Sequence, residues 1–84
     1  MSTIEKLKQK LKSRPKIFDW NDSIRILEHE GYKEETGGKT SGLRIRFEAD
    51  DGTSFVMHKP HPGSEMKAFA IRSLADFLEQ EGKL

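Results

Sequence analysis

Residues 43–58 read LRIRFEADDGTSFVMH. Leu43, Ile45 and Phe47 alternate with Arg44, Arg46 and Glu48, the period-two pattern of a strand with one buried face and its charges on the other. Asp50-Asp51-Gly52 is a hairpin turn signal, since glycine accepts the left-handed backbone that a tight reversal needs. A further strand runs from Ser54 to His58, with Phe55 and Met57 on one side and Val56 and His58 on the other. The reading predicts an antiparallel hairpin. Leu43, Ile45, Phe47, Phe55 and Met57 face the core, and Arg44, Arg46 and His58 face outward.

Upstream of this hairpin, Asp19 is placed to cap a helix, with Asp22 three residues later near its positive end. Trp20, Ile24 and Leu27 share one helical face, and Gly31 sits where a left-handed residue ends a helix. Trp20 reads as core, and His29, between Glu28 and Glu30, as a surface residue. A short strand around Tyr32 to Glu35 and a Gly37-Gly38 turn lead into the hairpin. Downstream, Lys59-Pro60-His61-Pro62-Gly63 cannot continue a strand, because proline lacks a ladder donor. Ser64 is expected to cap a last helix from about Glu65 to Glu81, with Met66, Ala70, Leu74, Phe77 and Leu78 buried and Gly82 as the stop. At the other end, Thr3 to Lys12 has the spacing of a short amphipathic helix. Ile4, Leu7 and Leu11 form its thin apolar stripe, Ser2 or Thr3 its cap, and Pro15 ends it. Such a stripe either packs weakly on the body or frays.

The expected architecture is α+β: helix, three antiparallel strands and helix, with both helices on one sheet face and an extra helix in front. Residues 1–16 form that leading helix and linker, and residues 17–84 the domain proper. The chain has 84 residues, 33% apolar and 35% charged, which suits one small folded domain rather than a disordered segment. It has no cysteine, which excludes a disulfide framework, a thiolate zinc site and a thiol nucleophile. The opening MSTIEKLKQK lacks the apolar core of a signal peptide, and no apolar run reaches membrane-spanning length. A cytoplasmic protein without a membrane partner is expected. The net charge of +1 hides a strong asymmetry. Residues 1–16 carry six Lys/Arg against Glu5, residues 17–35 two against six acids, and the remainder seven of each. Any nucleic-acid footprint must therefore be local.

Several stretches together resemble one family. They are Phe18-Asp19-Trp20, then Leu27, Gly31 and Tyr32, then the run Gly38 to Phe47, GKTSGLRIRF, and finally Met57-His58-Lys59-Pro60-His61-Pro62-Gly63. The chain resembles the HicA toxins of toxin–antitoxin modules over about residues 17 to 82, and in particular a branch with a lysine-rich N-terminal helix. The paired signature, a Gly-x-Arg-x-x-Phe strand and His-Lys-Pro-His-Pro, is specific in combination. The resemblance implies a fold like the double-stranded-RNA-binding domain, which is the element order derived above. It also implies an mRNA endonuclease, independent of the ribosome, that arrests growth and is neutralised by a HicB-like antitoxin. Better-known members carry Gly-Ser-His early in the second strand, with that histidine taken as catalytic. Here the matching residues are Gly42-Leu43-Arg44, so that histidine has no counterpart at its usual position.

Metal-free RNA cleavage needs a base for the 2′-OH proton, an acid for the leaving 5′ oxygen and positive charge on the developing phosphorane. Imidazole suits the proton transfers and guanidinium the phosphate. His58 and His61 are the candidate catalytic residues, and Arg44, Arg46, Lys59 and Lys67 the candidate RNA contacts. His58-x-x-His61 alone is too few ligands for a metal, and no metal or small-molecule cofactor is expected. The bland alternatives are that the prolines beside His61 only shape a connection and that the arginines only solvate a strand. Glu28, Glu30, Glu34 and Glu35 should repel a phosphate backbone. Besides an RNA-cleaving toxin, two readings stay open. One is a module of the same fold that holds RNA or protein without cutting. The other is a pure interaction domain whose sheet face is covered by an antitoxin-like partner.

Overall fold

A computed structural model describes residues 3–35, 44–60 and 63–84 of the chain. The elements run α1 (Thr3–Lys12), β1 (Phe18–Asp19), α2 (Trp20–His29), β2 (Lys33–Glu35), β3 (Arg44–Glu48), β4 (Ser54–His58), β5 (Glu65–Met66) and α3 (Ala68–Gln80). Strands β2, β3 and β4 form an antiparallel sheet in that order. The α+β arrangement is the expected one. The Gly37-Gly38 turn, Leu43, His61 and Ser2 lie outside the described residues.

Core formation follows from the alternation in β3 and β4. Phe47 and Met57 are buried on the helix side, with Ile45 and Phe55 packed partly against them. The Trp20 ring of α2 meets Phe47 at 6.1 Å between centroids. From α3, Phe77 stacks on Phe55 at 4.4 Å and meets Tyr32 edge-on at 5.5 Å. Both helices therefore lie on one face, as an apolar sheet face requires. The hairpin turn closes with Gly52 at φ +91° and with the Asp51 carboxylate accepting from the Thr53 N–H at 2.9 Å.

α2 begins and ends as its sequence predicts. Asp19 has extended backbone and accepts from the Asn21 N–H at 3.0 Å, and Gly31 follows the helix at φ +94°. Its buried side is Trp20, Ser23, Ile26 and Leu27, with Ile24 half-buried. The end of α3 also fits, with Gly82 at φ +73°.

Two expectations about the C-terminal helix are corrected. Ser64 is not its cap, and the helix does not start at Glu65. Residues Glu65 and Met66 instead form β5, antiparallel to β1, with Phe18 opposite Met66 and Asp19 opposite Glu65. The Ser64 hydroxyl donates to Asp19 Oδ1 at 2.7 Å, so it serves α2 rather than α3. Helix α3 starts at Ala68 with Lys67 in the cap position and no side-chain cap. Its fully buried residues are Ile71, Leu74, Ala75 and Leu78, and the expected Ala70 and Phe77 pack partly against the core. Met66 is buried too, but from the strand.

α1 packs against α2 and α3 rather than fraying. Leu11 is completely buried and Leu7 partly so. Lys8 pairs with Glu30, and the Lys10 ammonium lies over the Phe18 ring at 5.7 Å from its centroid. Beyond the helix, Arg14 adopts φ +50°, the left-handed region that costs a non-glycine residue energy. Its guanidinium reaches Asp76 at 2.6 Å and Glu79 at 2.9 Å on α3. The Glu79 hydrogen bond and then that of Asp76 hold Arg14 still more firmly protonated than usual.

Candidate nucleic-acid interface

On the sheet face away from the helices, Arg44, Arg46, Val56 and His58 are all exposed or partly so. The β3–β4 register sets Arg44 directly opposite His58 and Arg46 opposite Val56. Side chains directly opposite in an antiparallel pair stand about 5 Å apart at Cβ, so Arg44 and His58 are neighbours by construction. Among the described residues Arg44 makes no ion pair.

Arg46 differs. Its guanidinium lies 3.3 Å from Glu48 Oε2, and Glu35 stands directly across from it on β2. A hydrogen bond with Glu48 holds the Glu35 carboxyl above its usual range, Coulombic repulsion from Glu48 adding to this and Arg46 opposing it. With Lys33, Glu34 and Asp50, these two acids surround a hollow at the β2 edge. The open face is therefore graded, acidic toward β2 and cationic where β4 ends.

Beyond that cationic end lies a cleft of about 480 Å³. His58, Lys59 and Lys67 line it together, with Glu65 as an acid among them. Pro60, Met66, Phe69 and Ala70 supply its apolar surface. Four of the six expected site residues thus collect at one end of the sheet: Arg44, His58, Lys59 and Lys67. Arg46 is drawn toward acids, and His61 lies outside the described residues. Phe69 was not among the expected site residues. Its sequence signal is position: it falls off the apolar stripe of α3, and it is 76% exposed.

Lys67 owes its place to the staple between β5 and α2. The Trp20 N–H donates to the Ser64 carbonyl at 2.6 Å, and the buried Ser23 hydroxyl donates to Met66 Sδ at 2.8 Å. Asp19 joins both sides, as cap of α2 and as acceptor for Ser64. The Ser64 hydroxyl chiefly, then the Asn21 and Asp22 N–H groups and Arg25, hold the Asp19 carboxyl below its ordinary 3.8, while burial opposes them. A lowered carboxylate pKa stabilises the fold above the ordinary value and ceases to do so as pH falls through the folded value. Asp19→Ala should cost about 1 kcal/mol at neutral pH, as for other lost caps. The difference between wild type and variant should close as urea midpoints are followed from about pH 6 to about pH 2. A difference that stays constant over that range would show that the charge of Asp19 contributes nothing.

A family model described as HicA toxin of bacterial toxin–antitoxin matches residues 20–82. The chain belongs to the HicA toxin family. No curated protein and no solved structure showed significant similarity to it. The HicA match covers α2 through α3 and therefore the graded sheet face, the cleft and the β5 staple. α1 lies outside it, packed on two helices of the matched region. As a HicA-family member the chain is the toxin of a toxin–antitoxin module, and such a toxin has an antitoxin partner. None of the described helices is long and apolar enough to cross a membrane.

Proposed function

We propose that this HicA-family toxin binds mRNA at the β4 end of its open sheet face and cuts it without a metal ion, under restraint by a HicB-like antitoxin. One observation carries the reading: the β3–β4 register pairs Arg44 with His58, and Lys59 and Lys67 line the cleft that His58 enters. Cations so grouped suit a phosphodiester, and an imidazole beside them suits proton transfer. In the step proposed, a base removes the 2′-OH proton and the 2′ oxygen bonds to phosphorus. The P–O5′ bond breaks, and an acid protonates the departing 5′ oxygen. The products are a 2′,3′-cyclic phosphate and a 5′-hydroxyl end. His58 and His61 are the groups assigned to these transfers, and Arg44, Lys59 and Lys67 to phosphate charge.

The test is induced expression in a bacterial host with RNA recovered over time. Growth arrest with cleaved mRNA, both relieved by co-expressing the antitoxin, is the expected result. Intact RNA during arrest would sink the nuclease reading. The second reading, a module that grips RNA or protein without cutting, draws on Arg44. By the resemblance it matches the strand position where better-known members carry histidine, so one of the usual proton carriers is missing there. RNA binding without any cleavage in vitro would favour it.

The grading of the face makes a further prediction. Arg44→Glu should weaken RNA binding and flatten its salt dependence by about one unit of slope for each phosphate left without its cation. Arg46→Glu should do clearly less, since Glu48 and Glu35 already offset that charge. Filter-binding isotherms at several salt concentrations measure both. Equal losses would mean that RNA displaces the acids and uses the whole strand.

A further inference from the structure

We infer that the cleft between the end of β4 and the start of α3 is a nucleotide subsite, in which one unpaired base stacks on Phe69 while Lys59 and Lys67 hold the adjoining phosphate. The inference rests on the RNA reading above and narrows its substrate to single-stranded RNA at this point.

Phe69 is the most exposed of the large apolar side chains described, at 76% against 55% for Ile17 and 45% for Val56. The core stripe of α3 consists of Ile71, Leu74, Ala75 and Leu78, so Phe69 has no part in holding the helix down. A polar residue would serve the second position of that helix equally well for folding. The ring instead lines a cleft with Lys59, Lys67 and His58. Its volume of about 480 Å³ falls in the range of small-ligand sites. A flat apolar surface beside ammonium groups complements the two parts of a nucleotide, the base face and the phosphate. Among the described residues Glu65 is the one acid on the same lining, against two lysines.

The bases of a duplex are already stacked on one another, and an aromatic side chain reaches a base face only where the strand is unpaired. Phe69 therefore distinguishes the two forms of RNA, although the sheet-and-helix frame is of the kind that duplex-binding domains use. A protein occupant fits less well. The other exposed large apolar residues, Ile17 and Val56, do not line the cleft, so the apolar area is confined and ringed by charge. Stable protein interfaces need a broader patch.

The test compares full-length wild type, Phe69→Ala and Phe69→Tyr. The probes are a fluorescein-labelled single-stranded 2′-O-methyl oligonucleotide, which cannot be cut by 2′-OH attack, and the duplex of the same sequence. Loss of one stacked base should lower single-strand affinity of Phe69→Ala roughly 5- to 100-fold. Tyrosine should restore it, and duplex affinity should be the same in all three proteins. Unchanged single-strand binding by Phe69→Ala, or an equal loss on duplex, overturns the subsite and leaves the RNA reading standing. Failure of wild type to bind either probe at low salt overturns the RNA reading and this inference with it. If Phe69→Ala then weakens binding of the antitoxin, the surface is a protein contact.

Discussion

His58→Ala is expected to slow RNA cleavage by roughly 10²- to 10⁴-fold, the usual worth of a positioned acid or base. The unfolding midpoint should barely change, because His58 is exposed at the end of β4 and is not among the core residues. RNA affinity should fall only slightly, since Arg44, Lys59 and Lys67 remain. His61→Ala belongs in the same experiment, and so does the double variant. If the two histidines act as a pair, each single variant should lose nearly as much as the double, because groups that work as a unit are not additive. The measurement is single-turnover cleavage of a labelled RNA by wild type and the three variants at one pH. Undiminished rates in all three variants would remove histidine from the chemistry. A loss confined to His61→Ala would leave His58 as a binding group only.

Most of the frame was legible because it is written in local patterns. The alternation from Leu43 to His58 predicts the β3–β4 hairpin and sets Arg44 and His58 on one face, and the register then places them directly opposite each other. Asp19 and Gly31 bracket α2 for reasons of capping and left-handed backbone alone. What escaped depends on contacts between distant residues. β1 and β5 are two residues each, far apart in sequence, and neither is long enough to show a period. Ser64 looked like a helix cap because serine ahead of a helical pattern usually is one, yet its hydroxyl serves Asp19 instead. The expected stripe of α3 also left out Ile71 and Ala75, which are buried beside Leu74 and Leu78, while Ala70 and Phe77 pack partly against the core.

The site divides in the same way. The cationic end follows from strand register and the Arg46–Glu48 pair from spacing within one strand, but Glu35 beside Arg46 depends on β2 lying alongside β3. No local pattern announces that pairing. Phe69 does carry a local signal, since an aromatic residue off the apolar stripe of its helix has no core to enter.

Leu11→Ala should destabilise the protein by about 2–5 kcal/mol, although its helix offers only a thin apolar stripe. Leu11 is fully buried among core residues, and truncating a buried leucine removes transfer energy and leaves a cavity. A domain of this size has total stability on the order of 5–10 kcal/mol, so the loss is a large fraction of it. Trp20 is the only tryptophan and is buried against Phe47, so its fluorescence reports unfolding of the core in a urea titration. Lys8→Ala is the control. It breaks the part-buried pair with Glu30 without opening a core cavity and should cost clearly less than Leu11→Ala. If α1 is a third wall of the core, Leu11→Ala lowers the midpoint of a single transition seen at Trp20, on a different helix from the substitution. If α1 is an appendage, the change stays within about 0.5 kcal/mol, as for surface substitutions. The first outcome gives the lysine-rich helix its physical role, which is to close the core where it packs on α2 and α3. Its Lys8 and Lys10 would then be committed to Glu30 and Phe18 rather than to RNA, and Arg44, Lys59 and Lys67 would have to hold the nucleic acid without them.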